Sequence, residues 1–319
     1  MKSIFKYLYL ILLLQLVACN KEPKIETNVF GTGVKDVTVS TAYAVGNVVL
    51  DYGSILEVGV CWSNNELPLI SDNKIISSII GDKFESKIEG LVATTTYHVR
   101  TYTKTDKGLY YGNDIAFTTL NLPSASAIAF NSSIQYESVI DNEGTSYKTV
   151  VIGTQTWMAE NLRTKHYNNG DLIDNSMMCS YLNNESYVPV FGRLYLYYTT
   201  EDPRGICPVG WHLPSTEEWE TLISNVGYDS TNLKESGTEH WLYSGNGNNS
   251  TGFSLVPGGY CSNPTNSYFD LMGQSSFCWT SSAALSSDQK MICSTFNYYS
   301  FTNFEVNKSS ALSIRCIKD

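Results

Sequence analysis

Between residues 34 and 119 apolar and polar side chains alternate in short runs, at 37–39, 55–63, 96–103 and 115–119, with turn-forming residues between them. A period of two puts successive side chains on opposite faces of a strand, and several such strands in series predict a small antiparallel β-sandwich. No stretch here carries helical periodicity. Residues 121–134 are rich in Ser, Ala and Asn and contain Pro123, which reads as a linker. The pattern then changes. Asp141-Asn142-Glu143-Gly144 is a turn before an apolar strand at 150–153. Ser215-Thr216-Glu217-Glu218 is a capping box, in which the Ser215 hydroxyl accepts from a free N–H and Glu218 reaches back. Trp219, Leu222 and Ile223 give the ensuing helix one apolar face, and Gly227 stands where it would stop. Residues 277–280 and 291–295 are apolar runs on either side of a polar segment, predicting a hairpin centred between Leu285 and Ser286. That register sets Cys278 opposite Cys293, within reach of a disulfide.

The first residues have a different logic. Lys2 and Lys6 precede an apolar run at 7–17, broken only by Gln15, that is too short to span a bilayer as a helix. It predicts a secretory signal. Leu16-Val17-Ala18-Cys19 resembles a bacterial lipobox, which implies removal of residues 1–18, acylation of Cys19 and an acylated tether over 19–33. Asn20 at the next position resembles lipoproteins sent on to the outer membrane. The expected setting is a lipid-anchored protein on the surface of a bacterium.

Composition narrows the function. The chain has 319 residues, with 31 acidic against 21 basic side chains and a net charge of −10. An acidic chain lacks the cationic footprint that phosphate backbones demand, so no nucleic-acid partner is expected. The 22 Tyr and 6 Trp suit β-structure or an aromatic binding surface. No Cys-x-x-Cys occurs, and His98, His166, His212 and His240 form no His-x-x-x-His pair, which argues against a zinc ribbon or a zincin. There is no Gly-x-Ser-x-Gly elbow, and the Gly-rich 245–250 segment lacks the lysine of a phosphate loop. Glu217, Glu218 and Glu220 read as acids at a helix N-terminus. No catalytic residue, metal ligand or cofactor is expected.

Two resemblances give the modules an identity. Leu91-x-x-x-Thr95-x-Tyr97-x-Val99-x-Thr101-Tyr102, with Lys107-Gly108 and Phe117-Thr118-Thr119, resembles fibronectin type III domains. Tyr97 would then be the corner tyrosine, its hydroxyl returning to upstream backbone, with Ala93 where that family has proline. Gly59-Val60-Cys61-Trp62-Ser63 resembles the variants of this domain found in Bacteroidota surface proteins. From residue 135 to 319, Gln155-Thr156-Trp157-Met158-Ala159-Glu160-Asn161-Leu162-Arg163, Cys207-Pro208-Val209-Gly210-Trp211-His212-Leu213-Pro214, Trp279-Thr280-Ser281-Ser282 and Ser313-Ile314-Arg315-Cys316 resemble the Fibrobacter succinogenes major paralogous domain. The implied fold is a β-sandwich over 34–120 followed by an α+β C-type lectin-like domain. That resemblance also implies a disulfide between Cys207 and Cys316, near the first helix and in the last strand. Cys61 reads as a small buried hydrophobe, and Cys179 and Cys261 are left paired or free.

The leading expectation is a non-enzymatic surface lipoprotein for binding or adhesion, with the sandwich as a spacer and a glycan or a surface protein as ligand. Alternatives from other classes are an enzyme or accessory factor of surface glycan utilisation, and a structural pilus or matrix subunit. Trp241, Tyr243 and Tyr260, flanked by polar and Gly-rich sequence, are the expected ligand contacts, ahead of Tyr268, Tyr298 and Tyr299.

Overall fold

The computed structural model describes residues 28–49, 54–242, 247–263, 268–286, 290–297 and 300–319. Strands dominate both halves. In the first half, β1 (Asn28–Lys35), β2 (Ala42–Val49), β3 (Ile55–Ser63), β4 (Asn73–Ile76), β5 (Lys83–Ile88), β6 (Thr96–Thr105), β7 (Leu109–Tyr111) and β8 (Ile115–Thr118) form two sheets, ordered β1-β2-β5 and β4-β3-β6-β7 with β8 also on β6. Alternation along these strands sends Ala42, Ala44, Val58, Val60, Phe84, Val99 and Phe117 into the space between the sheets, which makes the sandwich core. Tyr97 is buried there, and its hydroxyl accepts from the Val92 backbone N–H at 3.0 Å, so the corner closes without a proline. Cys61 is buried and donates to the Pro68 carbonyl at 3.3 Å.

In the second half, β9 (Glu137–Ile140), β10 (Ser146–Ile152), β11 (Gln155–Met158), β12 (Met178–Cys179), the one-turn α1 (Val188–Phe191), β13 (Leu194–Leu196), β14 (Trp211–His212) and α2 (Thr216–Asn225) come first. Then follow β15 (Gly258–Asn263), β16 (Tyr268–Met272), β17 (Ser276–Ala283), β18 (Lys290–Phe296), β19 (Phe301–Asn307), β20 (Ala311–Leu312) and β21 (Ile317–Lys318). One sheet runs β14-β21-β11-β10-β9; the other runs β12-β13-β20-β15-β17-β18-β19, with β16 on β15. Helix is confined to short elements, less than an α+β reading leads one to expect. The capping box is present: the Ser215 hydroxyl accepts from Glu218 N, and Glu218 Oε2 accepts from Ser215 N at 2.8 Å. Trp219, Leu222 and Ile223 are the buried face of α2, with Trp219 4.7 Å from Trp157. No helix among the described residues is long and apolar enough to cross a membrane.

The residues after β19 hold this half together. Ile314, Arg315 and Cys316 are completely buried. The carbonyls of Ser313, Ile314 and Cys316 accept from the amides of Trp279, Leu162 and Met158 at 3.0, 2.8 and 3.1 Å, and Ile317 pairs with Trp157. Burial lowers the Arg315 guanidinium to about 10, which leaves it charged at neutral pH. Its Nε donates to Asn161 Oδ1 at 3.0 Å and its Nη1 to the Phe253 carbonyl at 2.7 Å, and the Phe253 ring lies beneath it.

Three expectations change. The Cys207–Cys316 disulfide is present, with Cα atoms 6.0 Å apart, but the Cys278–Cys293 bridge is not: Cys278 is a buried free thiol. Near the turn Ala283 faces Met291, three residues beyond the expected register, and the shift between Trp279 and Ala283 recovers only part of this, so Cys278 lies opposite Ser294 and Trp279 opposite Cys293. One residue of slip exchanges the two faces of a strand, which removes the pairing. The 121–134 segment is folded onto the head rather than strung between modules. Ile128 is buried, Ser124 N donates to the Glu239 carbonyl and Asn131 Nδ2 to the Asn249 carbonyl.

Nor is the sandwich a detached spacer. The Ser40 hydroxyl donates to the Phe269 carbonyl at 2.5 Å, Thr41 Oγ1 to Asp270 Oδ1 at 3.0 Å, and Lys87 Nζ lies 3.0 Å from Asp270 Oδ2. Partial burial disfavours the Lys87 charge, but the Asp270 carboxylate outweighs it and raises the ammonium above its ordinary value.

Cys207 and Cys316 close a span of 109 residues. Substituting both with Ser should lower the unfolding free energy of the head by about 2–5 kcal/mol, read as a fall in the denaturant midpoint. An unchanged midpoint would show that the bridge adds nothing to the packing around it.

Candidate functional site

Strand alternation along β18 and β19 exposes one face of the second sheet. Thr302, Phe304 and Val306 of β19 stand on it, beside Thr295 of β18, Phe277 of β17 and Tyr260 of β15. They bound an open cleft of about 580 Å³. Its floor is aromatic: Phe277 lies 5.0 Å from the Tyr260 ring, tilted by 56°, and 5.9 Å from Phe304, edge to face. Leu271, Val306 and Leu312 complete the apolar surface, and Ser262, Asn297, Thr302, Asn307 and Ser310 stand around it. The floor is stiff because Phe277 and Leu312 belong to the main core, while Phe304 is exposed.

Glu305, which also lines the cleft, spends its carboxylate on a neighbouring loop. It accepts from the backbone N–H groups of Leu285 and Ser286 at 3.1 Å each and from the Ser286 hydroxyl. Burial raises the Tyr260 phenol above its ordinary value, so it stays a neutral hydroxyl. What the cleft presents is rings, amides and hydroxyls. Such a surface can stack on an apolar face and exchange hydrogen bonds around it. Among the described residues no group of three or more His, Cys, Asp or Glu side chains is arranged to hold a metal.

The expected ligand contacts divide. Tyr260 lies in the cleft. Trp241 does not: it is 2% exposed, its Nε1 donates to the Leu255 carbonyl at 3.0 Å, and Lys234 Nζ sits 4.5 Å from the ring centre. Polar flanks suggested a loop, but the ring packs with Phe253 and Leu255 in the core. Tyr243, Tyr298 and Tyr299 lie outside the described residues, as does Cys19; Tyr268 borders a smaller cavity at the junction with the sandwich. Phe277, Phe304, Asn297 and Asn307 line the same cleft as Tyr260 and are not among the contacts expected from the sequence. The signal for Phe304 is the period-two run Thr302-x-Phe304-x-Val306.

His212 is the other constellation with chemical potential. Its Nδ1 lies 2.6 Å from Asp319 Oδ1 and its Nε2 3.0 Å from Glu218 Oε1. Partial burial disfavours its charge, but Asp319 and then Glu218 outweigh it and raise the imidazole above 6.5. Glu218 also caps α2, so this arrangement ties the helix start to the last strand.

A model of the Fibrobacter succinogenes major domain matches residues 150–318. No curated protein matches the chain. Among solved structures, one described as a myokine structure aligns over 30% of this chain and 98% of its own, at 12% identity and a TM-score of 0.24. The sensor domain of the anti-sigma factor RsgI4 of Pseudobacteroides cellulosolvens aligns over 30% and 95%, at 18% identity and a TM-score of 0.24. The third fibronectin III domain of human KIAA0343 protein aligns over 31% and 86%, at 16% identity and a TM-score of 0.23.

A raised histidine pKa stabilises the fold fully below the unfolded value, and the contribution disappears as pH rises through the folded value. The stability difference between the native protein and His212→Gln should therefore be largest below about pH 6.5 and shrink above it. Because His212 is solvent-accessible the difference is small. Parallel denaturation curves from pH 5 to 9 measure it, and a difference independent of pH would contradict the pairing.

Proposed function

The chain belongs to the Fibrobacter succinogenes major domain family, and from that footing we propose that it is a non-enzymatic surface lipoprotein whose head binds glycan. The observation that carries this reading is the cleft, with an aromatic floor of Tyr260, Phe277 and Phe304 and a rim of neutral amides and hydroxyls. Sugar rings offer an apolar C–H face and a girdle of hydroxyls, and such a cleft complements both. A mostly apolar concave surface with a few polar groups converging on it is also the usual form of a small-ligand site. Glu305, whose carboxylate is engaged by Leu285 and Ser286, is poorly placed as a free acid or base, which favours binding over hydrolysis.

The head is read as a C-type lectin-like domain. Supporting this are the bridge from Cys207, just before the capped helix, to Cys316 in the terminal segment, and the position of the cleft on the sheet between them. Cys19 is read as the acylated residue that anchors the protein at the bacterial outer membrane. The sandwich, docked through Ser40, Thr41 and Lys87, holds the head at a fixed orientation above the tether.

A glycan array probed with a soluble fragment beginning near Lys21 tests the binding. For a glycan so found, Phe304→Ala should weaken affinity by about 2 kcal/mol with the fold intact, because that ring is exposed. Trp241→Ala should instead cost about 3–5 kcal/mol of stability. An array without binding, or affinity unchanged in Phe304→Ala, contradicts the cleft as a glycan site. The anchor is checked separately: Cys19→Ser should abolish palmitate labelling, and labelling that persists would remove the lipoprotein reading.

A further inference from the structure

Behind the cleft floor, two cysteines that the Cys207–Cys316 bridge leaves out meet. Cys179 ends β12, the edge strand of the large sheet, and Cys261 lies on β15. Cys261 is the neighbour that most perturbs the Cys179 thiol. Both belong to the apolar cluster of Tyr181, Leu194, Phe269 and Ala311. Tyr260 and Ser262 line the cleft, so alternation turns Cys261, between them, to the opposite side of the strand. Cys261 is fully buried, whereas Cys179 is half-buried and borders a small surface cavity with Ser180 and Arg193. The remaining described thiols are occupied differently, Cys61 on the Pro68 carbonyl and Cys278 beside the Ser276 hydroxyl. The Cys207–Cys316 bridge belongs to a protein that folds where thiols are oxidised.

We propose that Cys179 and Cys261 are the site of a second disulfide, which fastens edge strand β12 to β15 directly behind the floor of the cleft. The oxidant is a disulfide-bearing thiol oxidant. The Cys179 thiolate attacks one of its sulfurs, breaking that disulfide, forming a mixed disulfide and releasing one thiol. The Cys261 thiolate then attacks Cys179 and displaces the second thiol. Two cysteines are oxidised by two electrons in all, and their two protons end on the two released thiols. Attack starts at Cys179 because that residue is only half-buried and borders the surface cavity, whereas Cys261 is fully buried. Contact with Cys261, and then burial, holds the Cys179 thiol well above its ordinary value, so the exchange is slow in the folded head.

The test uses the full chain, exported into an oxidising compartment, unfolded in an alkylating agent and digested without reduction. Mass spectrometry should find the Cys179 and Cys261 peptides joined, beside the Cys207–Cys316 pair, with Cys61 alkylated. Cys179 and Cys261 both alkylated while Cys207–Cys316 remains joined would overturn the proposal, as would either one joined to another cysteine. A second measurement is independent of the map. Cys179→Ser and Cys261→Ser should each lower the thermal midpoint by roughly 5 °C or more, and the double variant no further than the singles. Additive shifts, or none, would mean that the two sulfurs share no bond.

Discussion

The second half of the molecule depends on its last segment, the terminal strand, in which the extended residues 313–316 join β20 to β21. Its terminal residues run through the interior, contributing Leu312, Ile314 and Cys316 to one core cluster, Ile317 to a second and Ala311 to a third. Arg315 travels with them. An isolated buried guanidinium would be prohibitive, and the Asn161 amide, the Phe253 carbonyl and the Phe253 ring offset that cost. Asn161 is itself held by the Phe191 carbonyl and the Ser313 hydroxyl, so one polar network links the start, middle and end of the head. These partners lie up to 154 residues apart in sequence. Contacts so distant carry a large loop-closure cost, which in general slows folding. The Cys207–Cys316 bond offsets part of that cost by joining the strand to the segment before the capped helix.

This arrangement also explains why the cleft has a hard floor and a softer rim. Phe277 and Leu312 belong to the core that the terminal strand closes, and Tyr260 packs against it from β15. A rigid aromatic platform loses little conformational entropy when a ligand stacks on it. Asn307 and Thr302 stand on the exposed side of β19, where side chains are free to adjust their hydrogen bonds. Asp270 on β16 receives both Thr41 and Lys87 of the sandwich, so the module junction is built on the strand next to Tyr260.

Local signals in the sequence were legible because they act over a few residues. The capping box at Ser215–Glu218, the apolar face of α2 and the Tyr97 corner each involve partners within five positions, and each is present. Non-local features divided by whether a pattern could report them. The Cys207–Cys316 bond followed from a resemblance. The hairpin register differs because the sequence marks neither the pairing of Ala283 with Met291 near the turn nor the bulge that follows, and together they leave Cys278 one residue away from Cys293. Trp241 failed for a related reason: its flanks are polar, but burial is decided by Phe253 and Leu255, which the sequence does not place beside it. Tyr260, which lines the cleft, stands out in the sequence only as an isolated aromatic residue. Phe277 and Phe304 do not stand out in the sequence because a cleft made by adjacent strands exists only once those strands are ordered.

Native-state hydrogen exchange at the amides of Met158, Leu162 and Trp279 tests the keystone role of the terminal strand most directly. All three donate to carbonyls of residues 313–316. With the strand as keystone, they exchange only through global unfolding of the head, at one shared free energy equal to that from denaturant unfolding. Exchange of all three through a smaller local opening, while the β17–β18 ladder stays protected, would mean that the strand leaves without unfolding the head and would contradict the account.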